Sequence, residues 1–217
     1  MIAPPLILHG YWRSGTSYRT RIALNAKGLD YTQKTYDLRA GAHRSDAFRA
    51  LNPQGLVPAL EAGSMVLTQS TAILEWLEER WPTPALLPAD PDERAIVRAM
   101  TLLVACDIHP LNNLRVLNHL RSDFGADGNA VRRWIGHWVA EGFTPLETMI
   151  ARHGGRYSFG DSLSMADCHL VPQVYSAERF GVDLAPYPAI LAVAARLRDH
   201  PAVAAAHPDR QPDSDAS

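Results

Sequence analysis

Residues 6–24 are LILHGYWRSGTSYRTRIAL, and this stretch decides the first part of the fold. Its apolar start, Leu6–Tyr11, predicts a β-strand, whereas Ile22–Leu24 belongs to a helical apolar pattern. The small residues Ser14, Gly15 and Thr16 lie between the two, at the predicted helix N-terminus. Unpaired backbone N–H groups and the positive end of the helix dipole stabilise an anion at such a junction. The stretch therefore predicts an anion-binding site.

Further strand and helix signals follow this stretch as far as residue 81. They are a strand at Tyr31–Tyr36, a short helix at Arg44–Leu51, a hairpin of Leu56–Glu61 and Met65–Leu67, and a helix with Ser70 as its expected N-cap. The resulting order, β-α-β-α-β-β-α, predicts a small α/β domain over residues 1–81.

Residues 82–91 contain four prolines in ten positions, which predicts an interdomain linker. Residues 92–217 are expected to form an all-helical domain. Four helices are predicted in it: Asp92–Arg121 with a kink at Pro110, Ala130–His153, a helix that begins with a capping box at Ser164, and Pro188–His200. The polar tail, Pro208–Asp215, is expected to be loosely held.

The composition narrows the class of protein. The chain has 217 residues and a net charge of −2, so nucleic acid and anionic membranes are not expected partners. No run of 18 apolar residues and no secretory signal are found, and a soluble cytoplasmic protein is expected. Cys106 and Cys168 form no C-x-x-C pair and are expected to be reduced and buried. No metal site is predicted.

Several motifs along the chain resemble the zeta class of the cytosolic glutathione transferases. They are Trp12–Ser17 with Arg19 and Arg21, Asn52-Pro53 with Val57-Pro58, Gln69-Ser70, Asp107–Asn113, and Tyr157–Phe180. This resemblance covers essentially the whole chain. It implies an α/β plus all-α fold, in which an N-terminal thioredoxin-like domain precedes an all-helical C-terminal domain. It also implies glutathione as cofactor and a homodimer. Members of this class are maleylacetoacetate isomerases and the related maleylpyruvate isomerases.

The chain departs from the family pattern at one position. The usual cysteine of the signature is absent, and Ser14-Gly15-Thr16 resembles the maleylpyruvate isomerase branch. Asn112–Arg115, in contrast, resembles bacterial maleylacetoacetate isomerases, so the choice of substrate stays open. Without a nearby cysteine, thiol–disulfide exchange is not expected.

The resemblance implies a role for each candidate residue. Ser14, Gly15, Thr16 and Arg13 are the expected catalytic residues, with Ser14 or Thr16 donating a hydrogen bond to the glutathione thiolate; the alternative is that these hydroxyls only cap the helix. The expected glutathione-binding residues are His43, Val57, Pro58 (after a cis peptide bond), Gln69, Ser70, His109 and Asn113. Arginine binds carboxylates bidentately, and the candidates for a dicarboxylate substrate are Arg13, Arg115 and Arg179. Arg19 and Arg21 are expected to be structural or to face solvent.

The function implied is cis–trans isomerisation of maleylacetoacetate or maleylpyruvate in aromatic-compound catabolism. Reversible addition of the thiolate to the double bond allows rotation, and elimination then restores the double bond in the trans form. Two alternatives stay open: a general glutathione transferase or α-haloacid dehalogenase, and a non-catalytic binding module of the same fold.

Overall fold

The structure, a computed structural model, describes residues 5–215. The chain forms two compact units. The first contains the residues up to Leu86 together with the segment from His200 onward, and the second is Leu87–Asp199. The sequence placed residues 92–217 in one helical domain. The difference arises because the last helix packs on the first unit, as described below.

A four-stranded sheet forms the centre of the first unit. Its strands are β1 (Leu6–Gly10), β2 (Thr32–Thr35), β3 (Ala59–Ala62) and β4 (Met65–Thr68), in the order β2-β1-β3-β4. β1 pairs parallel with β2 and antiparallel with β3, and β3 pairs antiparallel with β4. β1 therefore lies inside the sheet, and residues 11–14 join its carboxyl end to the first helix.

The helices of the first unit are α1 (Gly15–Ala26), α2 (Asp46–Leu51), α3 (Ser70–Arg80) and, after the second unit, the last helix of the chain. A 3₁₀ turn, Ala42–Arg44, precedes α2. The expectation that Ser70 is an N-cap is wrong. Ser70 is the first helical residue, and Gln69 precedes it with a left-handed φ of 67° and no side-chain capping bond.

The linker is held by a buried lysine at the C-terminal end of α1. The ammonium group of Lys27 donates to the carbonyls of Trp81 and Pro84, both at 2.7 Å, and forms an ion pair with Glu78. Glu78 also accepts the backbone N–H of Leu86. These bonds satisfy backbone groups in and beside the proline-rich segment that have no partner in a helix or sheet, and they order its first half.

The second unit contains α4 (Pro91–Leu102), α5 (Leu114–Phe124), α6 (Gly128–His153), α7 (Met165–Arg179) and α8 (Pro188–Arg198). The long helix predicted over Asp92–Arg121 is divided into two helices and is not only kinked. A π-helical stretch, Leu103–Ile108, and a 3₁₀ turn, Pro110–Asn112, separate α4 from α5. Pro110 has no N–H to donate and its ring excludes a regular turn before it, which explains the break.

The capping box at the start of α7 is confirmed. The buried carboxylate of Asp167 accepts the backbone N–H groups of Ser164, at 2.7 Å, and Ser158, at 2.8 Å. Cys168 is buried as expected, whereas the expectation that Cys106 is buried is wrong, because its side chain is exposed. Among the described residues, one segment, Pro91–Phe124, has the length and apolar composition that crossing a membrane requires. This is weak evidence for a membrane span, because core helices of water-soluble proteins meet the same criterion.

The final helix, α9 (Pro201–Ala206), packs against α1. The expectation of a loosely held tail is wrong for the described residues. Gln211 is 4% exposed, and its amide donates to the carbonyls of Ala205 and His207. Arg39 binds both carboxylate oxygens of Asp215, at 2.6 and 3.1 Å. Hydrogen bonding to distant parts of the chain thus orders a segment whose composition alone predicts disorder.

Candidate active site

Two hydroxyls and one carbonyl form a hydrogen-bond chain at the start of α1. The hydroxyl of Thr16 donates to the carbonyl of Val57 at 3.0 Å, and the oxygens of Ser14 and Thr16 are 2.9 Å apart. A carbonyl can only accept, so the Thr16 proton is used for Val57. Ser14 must then be the donor in its bond with Thr16. Of these two hydroxyls, only that of Ser14 can turn without losing a bond to the backbone.

Ser14 is also the N-cap of α1. Its oxygen accepts the backbone N–H of Ser17 at 3.3 Å, so the capping role that the sequence left open is present. Gly15 and Thr16 are the first two helical residues, and N–H groups in this turn have no acceptor within the helix. Capping uses a lone pair of the Ser14 oxygen and leaves the hydroxyl proton for another acceptor. Ser14 can therefore cap the helix and also donate a hydrogen bond to a bound anion.

Val57 precedes Pro58 through a cis peptide bond, as expected. The preceding turn is built by Asn52, whose side chain donates to the carbonyl of Leu56 at 2.7 Å and accepts the N–H of Gln54. This turn presents the Val57 backbone beside the start of α1, where Thr16 binds it.

Gln69 and Ser70 lie at the N-terminus of α3. Gln69 is the one non-glycine residue with positive φ among residues 5–215, and its amide donates to Gln54 at 2.8 Å. Such a conformation costs about 1–3 kcal/mol and is concentrated at functional sites. Ser70 is buried, and its hydroxyl accepts from Arg19 at 3.4 Å, which joins α3 to α1.

His43 has a buried polar atom without a hydrogen-bond partner among residues 5–215. It lies in the 3₁₀ turn, 7% exposed, and its buried Nδ1 has no hydrogen-bond partner in the part of the chain that the structure describes. Burial, with smaller contributions from Arg44 and Arg49, lowers the pKa of His43 below its ordinary value of 6.5. A neutral, unsatisfied imidazole fits a polar ligand such as the peptide part of glutathione.

Arg13 is half-buried, and its guanidinium lies 5.0 Å from the centre of the Trp12 ring. Stacking on an aromatic ring holds a guanidinium in one orientation while leaving its N–H groups available. Arg13 is separated by one peptide bond from Ser14. The first unit therefore places a cation and a hydroxyl at the same loop.

The other candidates lie in the second unit. His109 and Asn113 were expected to face one side of one helix, but the break at Pro110 places them in different elements: His109 follows the π-helical stretch, and Asn113 caps α5 by accepting from Val116 at 3.2 Å. Arg115 is exposed in the first turn of α5. Arg179 is exposed at the end of α7, and its guanidinium lies 4.2 Å from the centre of the Phe180 ring.

Several residues that support the site were not recognised in the sequence. Arg19 and Arg21 are 2% and 1% exposed, so of the two expected alternatives the structural one holds and solvent exposure is wrong. Gln54 and Asp213, which bind Gln69 and the backbone of Trp12, were missed altogether. Their partners are distant in sequence, and no local pattern marks them.

Comparison with known proteins identifies the relatives of this chain. A family model for the N-terminal domain of glutathione S-transferases matches residues 4–79, and one for the C-terminal domain matches residues 129–206. A maleylacetoacetate isomerase from Pseudomonas aeruginosa is 52% identical over 213 residues, which is 97% of this chain and 99% of that protein.

Solved structures agree with this assignment. The holo structure of a maleylpyruvate isomerase, described as a bacterial zeta-class glutathione S-transferase, is 56% identical, with a TM-score of 0.94 over 96% of this chain and 99% of its own. A maleylacetoacetate isomerase from Anaeromyxobacter dehalogenans, with glutathione bound in its active site, is 43% identical, with a TM-score of 0.90 over 99% of this chain and 100% of its own. The predicted fold and family resemblance are confirmed, and the expected cofactor agrees with these relatives.

Proposed function

Since the chain belongs to the glutathione transferase family, in its zeta class, we propose that it is a glutathione-dependent cis–trans isomerase of maleylpyruvate or maleylacetoacetate. The observation that carries the proposal is the hydroxyl chain of Ser14, Thr16 and Val57 at the N-terminus of α1. The names of the relatives support both the reaction and the class of substrate.

The residues of the first unit fit glutathione. The unsatisfied Nδ1 of His43, the N-terminus of α3 behind Gln69, and the Val57 backbone offer donors and acceptors of the kinds that a tripeptide needs. Bound glutathione supplies a thiol that adds reversibly to the substrate double bond.

Ser14 is the proposed donor to the glutathione sulfur. A thiol of ordinary pKa, about 8.5, is mostly protonated at neutral pH, so its anion must be stabilised by the protein. The Ser14 hydroxyl can turn from Thr16 to the sulfur, and the N–H groups of the first turn of α1 add the positive end of the helix dipole. Thr16 orients Ser14 and is itself held by Val57.

Arg13, Arg115 and Arg179 are the proposed residues for the substrate carboxylates, and His109 and Asn113 are further proposed glutathione-binding residues. Arg13 has the strongest support because its guanidinium is stacked and adjoins Ser14. A cation near the reacting diketo acid also stabilises negative charge that develops on its oxygens.

The test follows the isomerisation of maleylpyruvate and of maleylacetoacetate spectroscopically, with and without glutathione. We expect glutathione to accelerate at least one reaction while its free thiol concentration stays constant. Consumption of the thiol would indicate a transferase or dehalogenase instead. Failure of glutathione to accelerate either reaction contradicts the proposal.

We also propose that the enzyme is a cytoplasmic homodimer that needs no nucleic acid or membrane partner. The dimer is supported by Met65 and Val66 of β4, which are 40% and 37% exposed and offer apolar surface to a second copy. The cytoplasmic location is supported by the thiol of Cys106, which forms no disulfide, as is usual in reducing compartments. Light scattering after size-exclusion chromatography should give twice the chain mass of 23.9 kDa. Val66→Asp should shift the population towards monomer; a monomeric wild type would contradict the proposal.

A further inference from the structure

The C-terminal segment binds the peptide groups of Trp12, two residues before Ser14. The N–H of Trp12 donates to Oδ2 of Asp213 at 3.0 Å. The carbonyl of Trp12 accepts from Nη2 of Arg21 at 2.9 Å, and Nε of the same buried guanidinium donates to the carbonyl of Ala206 at 3.0 Å. Both polar backbone atoms of Trp12 are therefore held, directly or through Arg21, by residues near the end of the chain.

This arrangement determines where the reactive groups lie. The N–H of Ser14 donates to the carbonyl of Tyr11 at 3.0 Å, which closes a tight turn around Trp12 and Arg13. A rotation of the Trp12 peptide therefore moves the backbone of Ser14 and the ring on which the Arg13 guanidinium lies. Hydrogen bonds on both sides of the Trp12 residue suppress that rotation.

Asp213 is itself held between two anchors. On one side, the buried side chain of Gln211 donates to the carbonyls of Ala205 and His207 and accepts from Gln33 at 3.0 Å. On the other side, the carboxylate of Asp215 binds the guanidinium of Arg39. The residues two positions before and after Asp213 are thus held by hydrogen bonds to groups other than Trp12, Arg13 and Ser14.

We propose that Asp213 is a positioning residue of the isomerase, which acts through the Trp12 peptide to place the Ser14 hydroxyl and the Arg13 guanidinium. The role of Ser14 in this statement rests on the proposed function. Asp213 contacts the loop and not the reacting atoms, and what it supplies is a hydrogen-bond acceptor at a fixed point.

The experiment compares Asp213→Ala, which removes the acceptor, with Asp213→Asn, which keeps one. The matched control is Asp209→Ala, because Asp209 is an exposed carboxylate in the same segment that does not bind Trp12 and lies 3.7 Å from Nδ1 of His207. The first readout is the pKa of the thiol of bound glutathione, titrated by thiolate absorbance with glutathione alone. The second is kcat and KM for isomerisation, and the third is amide hydrogen exchange at Trp12.

We expect Asp213→Ala to raise the pKa of the bound thiol by about one unit and to lower kcat about tenfold, less than the roughly 100-fold loss that a 1 Å displacement of a reacting group causes. Exchange at Trp12 should accelerate, while KM for glutathione changes less than kcat. Asp213→Asn should keep most of the wild-type values, and Asp209→Ala all of them.

If Asp213→Ala had the thiol pKa and kcat of the wild type, the proposal would be overturned. It would also be overturned if Asp213→Asn or Asp209→Ala lost as much kcat as Asp213→Ala. If Asp213→Ala does not fold, Asp213→Glu replaces it, because the longer side chain displaces the acceptor while keeping the charge. Failure of the proposed role of Ser14 gives a different result: the wild type itself would then bind glutathione with an unshifted thiol pKa.

Discussion

At the scale of single residues, the direction of two protons decides which hydroxyl can bind a sulfur atom. Turning the Thr16 hydroxyl away from Val57 would leave a carbonyl without its donor, at a cost of about 1–3 kcal/mol where the group is shielded from water. Turning Ser14 gives up only its bond to another hydroxyl, and the new bond to an anion is stronger than the one lost. The energetic difference therefore favours Ser14.

The corresponding prediction concerns Ser14→Ala and Thr16→Ala. Ser14→Ala should lower kcat about 100-fold, the loss typical of removing one donor to a developing anion. Thr16→Ala should cost less, and the control Thr16→Ser, which keeps the hydroxyl, should be close to wild type. Steady-state kinetics at saturating glutathione measures all three. If both alanine variants stay within about twofold of wild type, neither hydroxyl carries the thiolate, and the helix N–H groups must.

At the scale of secondary-structure elements, a glycine allows α6 to approach the π-helical stretch. A Cβ added to Gly142 would lie 2.2 Å from Cγ1 of Ile108, far inside van der Waals contact. Ile108 is fully buried and immediately precedes His109. The close contact of the two helices thus determines the position of the residue before a proposed glutathione ligand.

Gly142→Ala should therefore destabilise the protein by about 1–3 kcal/mol, because the core is overpacked. Gly136 is a matched control in the same helix, since nothing lies within 4 Å of a Cβ added there. Gly136→Ala should stabilise the protein by about 0.5–1 kcal/mol through helix propensity. Urea unfolding measures both. Equal effects of the two substitutions would contradict the role assigned to the close approach.

At the scale of the whole molecule, buried histidines couple stability to pH. Burial is the largest cause that lowers the pKa of both His9 and His43 below 6.5, and for His9 it outweighs the opposing effect of Glu61. Between the lowered pKa and 6.5, the unfolded chain binds more protons than the folded one. The stabilisation is complete above pH 6.5 and is lost as the pH falls towards the folded-state pKa values.

We expect the urea concentration at the unfolding midpoint to decrease as the pH is lowered from about 7.5 to about 5.5. The decrease should be smaller in His43→Gln. His137→Gln, at an exposed histidine of α6, is the control for the substitution itself. The difference between each variant and the wild type isolates the contribution of one histidine. An unchanged slope in His43→Gln would show that His43 does not contribute.

The sequence by itself determined the features that depend on neighbouring residues. The strand-to-helix junction at Ser14–Thr16, the capping box at Ser164, and the α/β unit followed by helices were predictable because periodicity and capping are local. The motif spacing also identified the family, which the relatives confirm. The assigned roles of individual site residues stay predictions.

Only the tertiary structure decided which groups satisfy one another across the chain. The Thr16 proton is used by Val57, 41 residues away, and the Trp12 N–H by Asp213, 201 residues away. Arg19 and Arg21 are buried because their donors meet Ser70 and Ala206. A polar side chain has the same local pattern whether it meets water or a distant partner. Its role is therefore decided by the hydrogen bonds that folding makes available, and those follow from packing rather than from sequence neighbours.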